Sequence, residues 1–244
     1  MRPLQILMPM GGLGQRFRDA GIDTPKPLIP VLGTPMFMRA LSSFDKYGGD
    51  KHHIFVIRKD TDDEYALSQQ IKQILPDAII KVIDYNTQGA VETCLAAEEF
   101  IDPDSPLVIM DCDIAFDSEE YFAMIKKAVE NNDFDGLLLS FDSSDPRYSF
   151  AEINANGLVT HTAEKIAISN NALMGAYFFT RAELFISAGH TLVKRQIDET
   201  LKEYYVSIIY NLLLQKGKRI GLSKGIFYCF GTPEELDSFL AANT

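Results

Sequence analysis

Residues 8–31, MPMGGLGQRFRDAGIDTPKPLIPV, place three glycines, an arginine and a proline-flanked lysine directly behind an apolar run. At Gly11, Gly12 and Gly14 no side chain blocks a phosphate from the backbone N–H groups. Arg16 and Lys26 supply cations for a triphosphate, and Pro25 and Pro27 restrict where the Lys26 amine can point. The spacing is not the dinucleotide fingerprint, because the third glycine of G-x-G-x-x-G is missing. Taken alone, the stretch also reads as a glycine-rich turn with two surface cations.

A second pattern sits at the end of the apolar run 106–111. Asp111 and Asp113 stand two apart, and in extended geometry their carboxylates point to one side, toward a single hard cation such as magnesium. Loop aspartates with turn or capping duties are the structural alternative. Gln88, Glu92 and Thr93 are polar groups at a helix start, suited to a base or ribose and equally to capping. Asp145, Arg147 and Tyr148 occupy a turn near a strand start. Glu164 and Lys165 form a charged pair of the kind exposed surfaces often carry. His52, His53, His161 and His190 show neither ligand spacing nor a paired nucleophile, and Cys94, Cys112 and Cys229 form no CxxC or Cys/His cluster.

These groups require a scaffold that ends its strands on one side. The runs at 4–10, 53–58, 78–83, 106–111 and 136–141 read as buried strands, with amphipathic segments at 35–47, 61–75, 91–101 and 118–131 between them. This alternation predicts an α/β fold with a mostly parallel central sheet and helices on both faces, binding ligands at the carboxyl ends of the strands. The second half changes character. YSFAEI, GLVTHT and NALMGAYFF are closely spaced strand candidates for a small antiparallel portion. A helix is expected over 198–216 and one or two strands over 219–230. TPEELDSFLAA opens with Thr232 as N-cap, Pro233 in the first turn and Glu235 three residues on, a capping box. No linker, repeat or low-complexity tract interrupts residues 1–244, so one domain is expected.

The glycine loop with Pro25-Lys26-Pro27-Leu28 resembles the signature of the sugar-phosphate nucleotidyltransferase superfamily, which implies a Rossmann-like, GT-A-like fold. TQGAVETCLAAEEF (87–100) is similar to the family segment near base and ribose, which implies nucleotide contacts for Gln88 and Gly89. VIMDCDIAF (108–116) resembles the strand end that delivers the metal carboxylate, with Asp113 as primary ligand and Asp111 as a second candidate. AEKI (163–166) and MGAYFF (174–179) resemble the acceptor side, which implies substrate contacts for Glu164, Lys165 and Gly175, with the Lys165 amine on the acceptor phosphate. FGTPEEL (230–236) resembles the closing Gly-Thr-Pro motif. SDPRYSFAEI and YYVSIIYNLLLQKGK look most like branches found with surface-polysaccharide genes. One departure stands out: many members carry an aspartate two residues before the glycine of the Gly-Thr motif, where this chain has Cys229, a poor magnesium ligand when protonated.

The resemblance implies a magnesium-dependent enzyme that transfers NMP from an NTP (CTP, UTP or dTTP) to a sugar 1-phosphate or other phosphorylated metabolite, with Arg16 and Lys26 as catalytic groups. A glycosyltransferase is the nearest enzymatic alternative, since Asp111-Cys112-Asp113 also resembles its D-x-D. A nucleotide-sensing module is the other. The net charge of −11 over 244 residues argues against a nucleic-acid track, which needs a basic stripe. No run approaches the apolar length of a membrane span, and neither a signal peptide nor a disulfide framework is evident. A cytoplasmic protein is expected, a homo-oligomer being compatible with all of this.

Overall fold

The computed structural model describes residues 2–198 and 201–243. Its strands in chain order are β1 (Leu4–Met10), β2 (Pro30–Val31), β3 (Thr34–Pro35), β4 (Lys51–Arg58), β5 (Ile79–Ile83), β6 (Leu107–Met110), β7 (Ile114–Asp117), β8 (Gly136–Asp142), β9 (Ser149–Ile153), β10 (Val159–Glu164), β11 (Asn171–Phe179), β12 (Ile220–Lys224) and β13 (Ile226–Cys229). The helices are α1 (Gln15–Asp19), α2 (Met36–Leu41), α3 (Lys59–Tyr65), α4 (Leu67–Ile74), α5 (Ala90–Leu95), α6 (Glu119–Asn131), α7 (Ala182–Leu192), α8 (Val206–Gln215) and α9 (Pro233–Asn243).

One sheet runs in the order β10-β9-β11-β6-β1-β4-β5, with β8 pairing both β11 and β12. The block β6-β1-β4-β5 is parallel, as is β12 on β8, while β9, β10 and β11 supply the antiparallel part. The strands of the block are apolar on both faces, as helix-covered strands must be. On one face α5, α7 and α8 pack through Val91, Phe185 and Ile209, and on the other α2, α4 and α6 pack through Phe37, Ile71 and Ile125. A third cluster, including Phe17, Ile29, Phe230 and Phe239, joins α1, the Lys26 loop and α9.

Several boundaries differ from the sequence reading. The expected helix at 61–75 is split, because Ala66 takes a left-handed φ of 50° and the Asp62 carboxylate accepts from Ser68 N (2.7 Å) to start α4. The helix expected over 198–216 is α8, beginning at Val206; residues 199 and 200 lie outside the described ones. α7 was not foreseen at all. Thr232 does cap α9, accepting from Glu235 N at 3.2 Å, but the Glu235 carboxylate turns to Arg147 (2.7 Å) instead of closing the capping box.

At the sheet edge, β10 is held to α8 by side chains acting as a surrogate strand. Asn211 accepts from Thr162 N (2.9 Å) and donates to Thr162 O (2.8 Å), while the Thr162 hydroxyl donates to Ser207 O (2.7 Å). Asn211→Leu strands both Thr162 backbone groups in a partly buried place. It is expected to cost about 2–6 kcal/mol in chemical denaturation, from roughly 1–3 kcal/mol for each of the two unmet partners.

Candidate active site

Two cavities meet at the carboxyl ends of β1 and β6. The first, about 880 Å³, lies between the glycine loop that follows β1 and residues 86–90 at the start of α5. The second, about 570 Å³, is walled by β11, by Glu164 and Lys165 at the end of β10, and by aromatic rings including Tyr148, Tyr177 and Tyr205. Lys26, Asp111 and Asp113 line both.

Asp111 to Asp113 form a turn between β6 and β7, not the extended segment expected from the sequence. Both carboxylates nevertheless reach the junction of the cavities. Asp113 pairs with the Lys26 ammonium, with the two side chains only 19% and 24% exposed. Burial works to lower the Lys26 amine, but Asp113, with Cys112 and Asp111 adding, overrides it and holds the amine above its usual value. Burial, reinforced by the Asp113 charge, pushes Asp111 up to about 7.

Gly175 makes room for Asp111. It sits at a register shift in β11 with φ 77°, and a Cβ there would run into the Asp111 carboxylate. Its carbonyl accepts from Asp111 N at 3.0 Å, so backbone and side chain of Asp111 are both placed by this one residue. Gly89 plays a comparable part beside the first cavity: at φ 142°, a Cβ would collide with the backbone of Tyr204.

The remaining expected residues divide between the cavities. Gly11, Gly12, Gly14, Gln88 and Gly89 line the first, Glu164, Lys165 and Gly175 the second. Arg16, exposed on α1, faces the second cavity and an adjoining one beside α9 instead of the glycine loop. Glu92 and Thr93 are occupied locally: Glu92 accepts from Gln88 N (2.5 Å), and the Thr93 hydroxyl lies 2.6 Å from that of Thr87. The sequence reading missed Glu235 and Tyr205. Glu235 faces the second cavity with one oxygen on Arg147, and its capping-box position concealed this.

Magnesium fits this donor set. Two hard carboxylates meet at the junction of the cavities, and burial leaves Asp111 short of compensation for its charge. The Cys229 thiol, pushed up by burial, stays protonated and adds no hard ligand. Among the described residues no three His, Cys, Asp or Glu side chains are arranged to hold a metal, so phosphate oxygens and water would complete the shell.

A glycine loop and paired carboxylates at the ends of parallel strands define a Rossmann-like α/β enzyme that handles nucleotides. The chain belongs to the nucleotidyl transferase family, whose model matches residues 5–210, and it is a nucleotidyltransferase. The nucleoside-diphosphate-sugar pyrophosphorylase from Vibrio cholerae RC9 is similar over 97% of this chain and 99% of its own, with 26% identity and a TM-score of 0.83. A UDP-glucose pyrophosphorylase complexed with UDP-glucose shares the fold at 17% identity and a TM-score of 0.75, over 99% and 98% of the two chains. No curated protein matches by sequence. No described helix is long and apolar enough to cross a membrane.

Because Gly175 combines a left-handed backbone with a forbidden Cβ position, Gly175→Ala is expected to destabilise the protein by about 2–4 kcal/mol in denaturant titration. Gly12→Ala is the control: a Cβ there meets nothing within 4 Å, and stability should hold within about 0.5 kcal/mol.

Proposed function

We propose that the chain transfers NMP from an NTP to a sugar 1-phosphate, or another small phosphorylated metabolite, and releases pyrophosphate. The observation that carries this reading is the Lys26–Asp113 pair where a glycine-loop cavity opens into a second, cation-bearing cavity. CTP, UTP and dTTP are the candidate donors, and supply of surface-polysaccharide precursors in the cytoplasm is the biological role we favour.

The NTP phosphates lie against backbone N–H groups of the glycine loop, with Gln88 and Gly89 beside the nucleoside. Asp113 and Asp111 would hold magnesium, which when bound neutralises charge on the phosphates. Lys26 turns its ammonium to the α-phosphate and Arg16 adds charge from the other side. Lys165 anchors the acceptor phosphate, flanked by Glu164 and Gly175. One oxygen of that phosphate attacks the α-phosphorus in line. A new P–O bond forms, the bond from the α-phosphorus to the α–β bridging oxygen breaks, and its electron pair leaves on pyrophosphate. No covalent enzyme intermediate is needed, so positioning and electrostatics carry the rate.

The test is to incubate purified protein and magnesium with each NTP and a panel of phosphorylated metabolites and to measure pyrophosphate. Release of nucleoside diphosphate from a nucleotide-sugar, with no pyrophosphate from any pair, would replace this reading with glycosyl transfer. No turnover of either kind would leave a nucleotide sensor.

Lys26→Ala is expected to lower kcat by about 10²-fold or more, as loss of an electrostatic stabiliser does, measured by continuous pyrophosphate detection. Asp113→Asn should abolish turnover, while Cys229→Ala keeps it within about threefold, since a protonated thiol supplies only packing. A dead Cys229→Ala beside an active Asp113→Asn overturns the metal assignment.

A further inference from the structure

Lys165 is presented unusually. Its φ of 56° is left-handed, its N–H donates to Tyr148 O at 3.0 Å, and its side chain reaches the Tyr205 hydroxyl at 2.9 Å with the ammonium 4.8 Å from the ring centre. Among the described residues it forms no salt bridge. The neighbouring Glu164 carboxylate accepts instead from Ser149 and from Ser207 (2.8 Å). The partner of this cation is therefore a neutral phenol, which orients an ammonium without cancelling its charge.

Tyr205 in turn is held from both sides. Immediately before it, Tyr204 donates from its N–H to Gln88 O (2.9 Å) and accepts from Val91 N (3.0 Å), clamping the wall of the nucleotide cavity. The buried Tyr204 ring donates its hydroxyl to Arg195 O at 2.7 Å. Immediately after it, α8 begins, and its Ser207 and Asn211 are tied to β10, the strand that leads into Lys165. Lys202 and Glu203 line the first cavity and Tyr205 lines the second. A single short segment thus borders both.

We infer that Tyr205 is a positioning residue that aims the Lys165 ammonium at the acceptor phosphate, from a segment that is also the wall of the nucleotide cavity. The inference rests on the proposed role of Lys165. An anion entering the second cavity meets an ammonium already restricted in direction by the hydroxyl and ring, so less rotamer freedom is lost on binding.

The experiment titrates glucose 1-phosphate and inorganic phosphate into the full chain by NMR. CTP, UTP and dTTP are titrated in parallel, and melting temperatures are recorded. The proteins are wild type, Tyr205→Leu, Tyr205→Phe, Lys165→Met and the Lys165→Met/Tyr205→Leu double variant. Tyr205→Leu is expected to weaken the phosphate probe about tenfold or more, the loss of a hydrogen bond to a charged group. Tyr205→Phe, which keeps the ring beside the ammonium, should recover part of that loss. Nucleotide affinity should stay within twofold throughout. Because Tyr205 acts through Lys165, the double variant should bind the probe no more weakly than Lys165→Met alone.

Normal probe binding in Tyr205→Leu, with Lys165→Met impaired, overturns the inference and leaves the acceptor site standing. Additive losses in the double variant overturn it too, as does joint loss of nucleotide binding and melting temperature. If no phosphate probe binds wild type, or if Lys165→Met binds it normally, the acceptor role of Lys165 fails first.

Discussion

The contact between Lys26 and Asp113 is the constraint on which the other arrangements turn. Two carboxylates, Asp111 and Asp113, come within electrostatic reach of each other at a mostly enclosed junction, where like charges repel strongly. One cation delivered from a different part of the chain makes this tolerable. Lys26 is delivered by a loop that has little regular structure of its own, a single 3-10 turn over Lys26–Leu28. What holds the loop is Ile29 and its neighbours in the small cluster with Phe17, Phe230 and Phe239. The charge arrangement thus depends on an apolar one, and neither can be moved without the other.

The parallel half of the fold was legible because its pattern is local. β1 spans the run read from the sequence, and the strands at 51–58, 79–83, 107–110 and 136–142 fall within a few residues of expectation. Elements whose identity depends on distant partners were not legible. α7 carries Gly189 in its last turns, a residue that reads as a helix breaker. In the fold its bare backbone lets α7 approach Leu95 and Val91 of α5, with a Cβ position already 3.3–3.4 Å from their methyl groups. Glu235 shows the same limit at the site. Its spacing from Thr232 suits a reciprocal cap, and only the arrival of Arg147 from a turn almost ninety residues earlier diverts the carboxylate. Tyr205 offered no signal, being one aromatic among several before a helix.

The charge distribution shows how an acidic chain can present cations where they matter. With a net charge of −11, its general field repels anions. Arg16, Lys26, Arg147 and Lys165 nevertheless all line the second cavity. Two of them are buffered differently: Arg147 is neutralised by Asp145 and Glu235, whereas Lys165 keeps its charge against a phenol. The cavity therefore contains cations already committed to carboxylates, Lys26 and Arg147, beside Lys165, whose charge is left for an anion.

The cluster beneath the Lys26 loop joins Phe17 and Ile29 to Phe230, Leu236 and Phe239. A nascent chain has the glycine loop and Lys26 at hand early, yet the cluster that seats them stays incomplete until Phe230, Leu236 and Phe239 have left the ribosome. Closing so long a loop is entropically slow, and contacts of such sequence separation form late in folding. The parallel block β1-β4-β5, whose partners are close in sequence, can assemble well before then. Synthesis thus passes through an interval in which much of the sheet exists while Lys26 lacks part of its apolar support, and chains truncated before α9 are left in that condition.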